Sequence, residues 1–382
     1  MNDILFQNLE LTHLEHRIEY SCTHERTLIW PKTLQNLKVF SSKAGDNDVV
    51  RFALRDMAQL TTLAVYDSAW QNAPPNGQIW QELITTHIPA LKKFQFGFKF
   101  WKDFRSESDI ARVVSTFSTP FYLEEKHWFI QCDSHHSRLS VAFIYSIPYA
   151  FSRFDIVTHS FDESVTNGQL PTIKNIHQHV RTITVDVKCQ QIAQALLAGC
   201  ITHLYLKYWG TPMDWICSMK HLRQLSLENY VEMSTNNFIR LLENAIHLQS
   251  LIVPSHTLQS LTNQWNSSQA CLLLSHKIRS LNILYSTSLS DYVRVDELTH
   301  LIRIFRRRCQ HLSISVYSRN ILAGFLLANM QHLRSLHVRL IEHNNDMIIT
   351  KEWLCKQNIG YDKLDYHMIV NDNKYSFWFA NR

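Results

Sequence analysis

The densest group of metal-type donors in the chain is His135-His136, preceded by Cys132 and Asp133, and His177-x-His179 is the next. Zinc takes three or four ligands of this kind, tetrahedrally arranged. However, many of the 21 histidines recur at fixed places in a repeated phrase: His203, His221, His247, His311 and His332 each stand at or just before its first strand residues. That regularity marks them as register residues, so no metal and no other cofactor is expected. No GxSxG, GxxxxGK[ST], HExxH or EF-hand loop occurs, and all 8 glycines are isolated. No catalytic residue can be named, and the chain is not expected to be an enzyme. The densest basic run, Arg303-Ile-Phe-Arg306-Arg307-Arg308, falls at the end of a predicted helix, where cations offset the helix dipole.

The repeated phrase must be what positions these groups. Residues 221–227 read HLRQLSL, 247–253 HLQSLIV and 332–338 HLRSLHV. The template apolar-x-x-apolar-x-apolar also opens at 34, 60, 91, 180, 201, 278 and 309. Its fourth and sixth residues alternate with polar ones, which is strand periodicity. Between phrases the spacing turns helical: Ser234 can cap a helix carrying Phe238, Leu241, Leu242 and Ala245, Leu298, Leu301, Ile302 and Phe305 repeat the pattern, and Ile79, Trp80, Leu83 and Ile84 do so earlier. Thr211-Pro212 reads as a helix start, and Gly199 as the stop of a helix carrying Ile192, Leu196 and Leu197.

Strand–helix units recurring at roughly 20–30 residues point to an irregular leucine-rich-repeat solenoid. The expected fold class is therefore α/β: a horseshoe with a parallel concave sheet and outer helices, a mid-chain β insertion and a C-terminal strand-pair cap. Four segments are expected: leucine-rich repeats in 1–105, an aromatic-rich helix plus β-hairpin insertion in 106–170, further repeats in 171–363, and capping strands in 364–382. Residues 160–172 read as an exposed loop.

In such a fold the residues flanking the inward positions line one surface. Tyr66, His203, Tyr205, Lys207, Gln224, Glu228, His337 and Arg339, with neighbouring Tyr208 and Trp209, are the candidate partner-binding residues. Mixed charge with aromatics suits protein recognition.

The middle of the chain breaks the rhythm with TPFYLEEKHWFIQCD and VAFIYSIPY. The aromatic density there suits packing or a binding platform. On Tyr122, Glu125, Trp128, Phe129, Tyr145, Pro148 and Tyr149, together with the closing YHMIVNDNKYSFWF, the chain resembles F-box/leucine-rich-repeat proteins, in particular a divergent set from bdelloid rotifers. That resemblance implies the substrate-recognition part of a cullin-type ubiquitin ligase. Residues 1–30 lack the Leu-Pro start of an F-box, so a ligase adaptor is expected as a partner only if an F-box lies upstream of Met1.

The expected function is a protein–protein interaction scaffold. The alternatives are a nucleic-acid-associated repeat protein using the Arg303–Arg308 edge, or a stand-alone binding array unconnected to ubiquitin. A formal charge of +5 from 38 basic and 33 acidic residues does not by itself call for nucleic acid. Met1–His16 has no sustained apolar core and the eight cysteines form no CxxC pair, so a reduced cytoplasmic or nuclear chain is expected, with no membrane partner.

Overall fold

The computed structural model describes residues 12–18, 30–41, 50–51, 53–71, 74–102, 108–134, 140–156, 164–169, 177–185, 201–209, 219–231, 233–284, 293–317, 329–330, 332–341, 349–356, 366–371 and 374–379. They fall into two compact units, Met1–Val180 with Gln191–Gly199, and Arg181–Gln190 with Cys200–Arg382.

The first unit holds a seven-stranded sheet. Strands β1 (His13–Ile18), β2 (Asn36–Ser41), β3 (Thr62–Gln71) and β4 (Lys93–Lys102) run parallel. Strands β5 (Phe129–Ser134), β6 (Ser140–Ile147) and β8 (Ser164–Thr166) then continue it antiparallel, in the order β1-β2-β3-β4-β6-β5-β8. A short strand β7 (Arg153–Ile156) follows β6 in the chain. Helix α1 (Gly77–His87) starts where the Asn76 side chain accepts from the Gln78 and Ile79 amides, and it buries Trp80, Leu83 and Ile84 while Ile79 stays exposed. Gly77 is required there: a Cβ would stand 2.4 Å from Thr116 O, on the turn that ends α2 (Ser108–Ser115). Tyr122 OH donates to Gly77 O at 2.7 Å and locks the same junction.

One face of this sheet carries Leu37, Val39, Leu63, Val65, Phe94, Phe96, Phe98, Phe100, Ile130, Cys132, Ala142 and Ile144 into a core shared with Trp80 and Phe117. Phe96 stacks between Phe98 and Phe117, with ring centroids 4.9 and 5.4 Å away.

The second unit holds strands β9 (Thr182–Val185), β10 (His203–Trp209), β11 (Gln224–Val231), β12 (Ser250–Pro254), β13 (Ser280–Leu284), β14 (His311–Val316) and β15 (Ser335–Leu340), each parallel to the next. Antiparallel β17 (Lys374–Phe379) pairs with β15, and β16 (Tyr366–Asn371) with β17. Among the described residues it also holds helices α3 (Thr235–Asn244), α4 (Ser255–Leu261), α5 (Ser268–Lys277), α6 (Val295–Phe305) and α7 (Lys351–Lys356). Ser234 caps α3 through the Asn237 amide and Ser267 caps α5 through the Ala270 amide, at 3.2 and 3.3 Å. Glu297 accepts from Ser255 Oγ at 2.8 Å and from the Arg294 amide at 3.4 Å, which ties the start of α6 to α4.

The horseshoe expected from the sequence is corrected. The chain forms a mixed α/β architecture on two large sheets, each containing antiparallel strands, rather than one solenoid with a parallel concave sheet. The middle segment is not an insertion beside an array, because β6 and β5 join the first sheet next to β4 and end its parallel run. Residues 160–172 are not simply a loop, since β8 pairs with β5. The physical reason is that period-two alternation reports which face of a strand is buried. It carries no information on where a parallel run stops or what lies on the other face. The helix expected to carry Ile192, Leu196 and Leu197 and the helix start expected at Thr211-Pro212 lie outside the described residues.

Candidate protein-binding face

In the first sheet the face opposite the core is covered. Phe40, Tyr66, Lys99, Phe143, Tyr145 and Asp133 project there, and Tyr149, Phe151, Phe154 and Asp155 lie against them. Tyr66 meets Phe151 at 5.2 Å, and Phe143 and Tyr145 meet Phe154 edge-on at 5.5 and 5.4 Å. Gly97 leaves the room, since a Cβ would come within 3.1 Å of Phe143 and 3.2 Å of Tyr66.

Asp155 ties the layer down. Its Oδ2 accepts from Tyr66 OH at 2.6 Å and from Lys99 Nζ at 2.7 Å, and its Oδ1 from Arg153 Nε at 3.0 Å. Burial alone would raise this carboxyl, but the Lys99 and Arg153 charges and the hydrogen bonds outweigh it and hold the group well below the usual carboxylate range. A second carboxylate, Asp133, accepts from Ser164 Oγ at 2.5 Å, Gln131 Nε2 at 2.9 Å and Tyr145 OH at 2.9 Å. Burial raises its pKa against those hydrogen bonds. His177 sits against Phe154, Tyr145 and Tyr149 with ring centroids 4.7, 5.9 and 5.9 Å away, and burial lowers its imidazole to about 4.

Tyr66 is thereby removed from the partner-binding set: it is 3 % exposed and belongs to this inner layer. The aromatic segment is packing and not a platform. Tyr122, Tyr145 and Tyr149, three of the residues that carry the F-box resemblance, are fully buried. The donor group proposed around Cys132 does not form a site in what is described. Cys132 faces the core, Asp133 faces the opposite layer, and His135 and His136 lie outside the described residues. Among the described residues no group of three or more His, Cys, Asp or Glu is placed to hold a metal.

The second sheet differs. Opposite its apolar positions, successive strands bring one residue each into register. One row runs Thr182, His203, Gln224, Ser250, Ser280, His311, Ser335, and the next runs Thr184, Tyr205, Ser226, Ile252, Asn282, Ser313, His337. Gln224 Nε2 donates to Tyr205 OH at 2.9 Å across β10 and β11. His203 Nδ1 lies 2.8 Å from Thr202 Oγ1, and burial, then Arg223, lowers its pKa. Lys207 is half-buried and Glu228 exposed. Tyr208 and Trp209 belong to β10, but their side chains fall outside what is described.

His337 and Arg339 form a separate group on β15. His337 Nδ1 is 2.8 Å from Ser376 Oγ, and its ring meets Trp378 edge-on at 5.6 Å. With strands roughly 4.8 Å apart, β11 and β15 are separated by about 19 Å. The candidates therefore form two patches, one on β10–β11 and one on β15.

Neither a family model nor a curated protein matches the chain.

Between the two patches stand Ile252, Asn282 and Ser313, half-buried and absent from the sequence-derived set. Their signal was available, because each is the residue between the two inward positions of its phrase. Among the described residues no helix is long and apolar enough to cross a membrane.

Proposed function

We propose that the chain is a protein-interaction module and that the partner lies across β10–β15, on the face carrying Tyr205, Gln224, Ile252, Asn282 and His337. The observation that carries this is the contrast between the sheets. The face opposite the core is covered by an aromatic layer in the first, whereas in the second most row positions across β10–β15 are half-buried or exposed polar groups, with Tyr205 and Ile252 among them, although Thr184 on β9, Ser226 and Ser335 are buried. Polar groups held in register by a sheet are preorganised, which lowers the entropic cost of association. A more specific form, recognition of a ubiquitin-ligase substrate, is supported by the F-box resemblance alone. That resemblance rests partly on residues that build the buried layer of the first unit.

The test is affinity purification of the full chain beside two variants, with mass spectrometry of stoichiometric partners. Tyr205→Ser/Glu228→Arg is expected to lose the partner, and Lys38→Glu on the first sheet to keep it. A partner retained by both variants would sink the proposal. Adaptor and cullin subunits among the partners would support the ligase form, and their absence would end it.

A further inference from the structure

The repeated phrase has two polar positions that the proposed partner face does not use, one on each side of its first apolar residue. The backbone lines them up. Gln249 N donates to Arg223 O at 2.9 Å, Arg279 N to Gln249 O at 2.8 Å, Gln310 N to Arg279 O at 2.7 Å and Arg334 N to Gln310 O at 2.7 Å. Arg223, Gln249, Arg279, Gln310 and Arg334 thus form one row along the starts of β11 to β15. Two residues earlier in each phrase stand His221, His247, Lys277, Arg308 and His332. The rings of His221 and His247 are 6.4 Å apart and within 8° of parallel. Each of these positions is a cation, an imidazole or an amide.

At the β13–β15 end of these rows lies a groove of about 340 Å³ lined by Arg279, Arg307, Arg308, Gln310, His332 and Arg334, with Leu333 at its base the one apolar residue of the lining. Its four arginines and His332 are exposed. Arg308 Nη1 donates to His276 O at 2.8 Å, which fixes one side of that guanidinium. Among the described residues no carboxylate lies within ion-pair distance of Arg279, Arg307, Arg308 or Arg334. Glu243 acts on Lys277 in the neighbouring row, and it already accepts from Gln269 Nε2 at 2.8 Å. Guanidinium forks match phosphate oxygens two at a time, and clustered like charges are relieved when an anion neutralises them.

We propose that this edge binds the phosphodiester backbone of a single-stranded nucleic acid. The Arg279–Arg307–Arg308–Arg334 groove seats a phosphate, and the row through Gln249 and Arg223 leads the strand onward past the stacked imidazoles. Recurrence is what selects this ligand. Strand starts follow one another every ~4.8 Å, so the charges form a line about 19 Å long. A line suits charge repeated along a chain better than one isolated phosphate does. The exposed His221 and His247 rings can stack on unpaired bases, which a single strand offers and a duplex does not.

The test is fluorescence anisotropy of a labelled twenty-nucleotide oligouridylate with the full chain, repeated across salt concentrations. Neutralising three or four phosphates gives a log–log salt slope of roughly −2 to −3 at about −0.7 per phosphate. Arg279→Gln/Arg334→Gln is expected to make the slope shallower by about 1.4 and to weaken low-salt binding at least tenfold. Arg223→Gln/Arg307→Gln is expected to act in the same direction, while Lys32→Gln/Arg55→Gln in the first unit leaves binding unchanged. Melting curves of all three variants should overlay the parent, because every changed side chain is at the surface. No binding at about 50 mM salt, or a slope indifferent to both groove variants, would overturn the proposal. So would a peptide with one phosphoserine displacing the oligonucleotide at equal concentration, since that would make the groove a single-phosphate pocket.

Discussion

Replacing Asp155 with alanine is expected to be among the most damaging single changes in the first unit. The carboxylate is fully buried and the Lys99 side chain is 3 % exposed, at 2.7 Å from it. Removing one partner of a buried ion pair strands the other charge and costs about 3–5 kcal/mol. For a unit of this size each kcal/mol moves the melting temperature by roughly 2–4 °C, so Asp155→Ala should lower it by about 6–20 °C. Calorimetry read beside near-ultraviolet circular dichroism would follow both the heat and the tyrosine layer that Asp155 holds. Replacing the polar group as a whole avoids the stranded charge: Tyr66→Phe/Lys99→Met/Asp155→Leu should recover to within about 2 kcal/mol of the parent. The pH dependence has a definite sign. The folded-state pKa lies below the unfolded value of about 3.9, so the contribution is complete above that value and is lost as pH falls further. Asp155→Asn should remove that acid sensitivity. A loss below about 1 kcal/mol for Asp155→Ala, or a triple variant weaker than the single one, would refute the view that Asp155 ties the layer.

His177 gives a second pH dependence at milder acidity. Its folded value of about 4 lies below the unfolded ~6.5, so stability is full above ~6.5, declines as pH falls toward 4 and levels off below, by roughly 3 kcal/mol in all. In denaturant titrations from pH 7 to 4, His177→Phe should flatten that decline, and an unchanged profile would place the titrating group elsewhere. Gly77→Ala should cost about 1–3 kcal/mol in urea unfolding, because its Cβ has no room beside Thr116 O and the Phe117 ring, and a neutral result would mean that α1 can shift. Burial pushes the Cys309 thiol up to about 12, so it should resist a thiol reagent at pH 8 until the chain unfolds, and labelling of the native protein within minutes would contradict its burial.

The local pattern was legible, and the architecture was not. Leu225 and Leu227 are read correctly as buried because alternation in a strand is a property of neighbouring residues. Ser234 is read correctly as a helix cap for the same reason. Tyr66 could not be assigned this way. It has the alternation of an outward residue, and it is buried only because Phe151 and Asp155, 89 positions away in the case of the hydrogen bond, lie over it. Lys99 looks like any charged residue between phenylalanines until its carboxylate is placed. The end of the first parallel run depends on β6 choosing β4 as its neighbour, a long-range event with no mark in the phrases.

The sheet of the second unit separates two demands on each strand. Leu251, Leu281 and Leu336 serve the interior, while Ile252, Asn282 and His337, one residue along, share none of that packing duty. Substitutions at the latter positions can therefore drift or be selected with little penalty to the interior. Duplicated copies of such a chain could diverge in what they recognise one strand at a time, each change leaving the others in register.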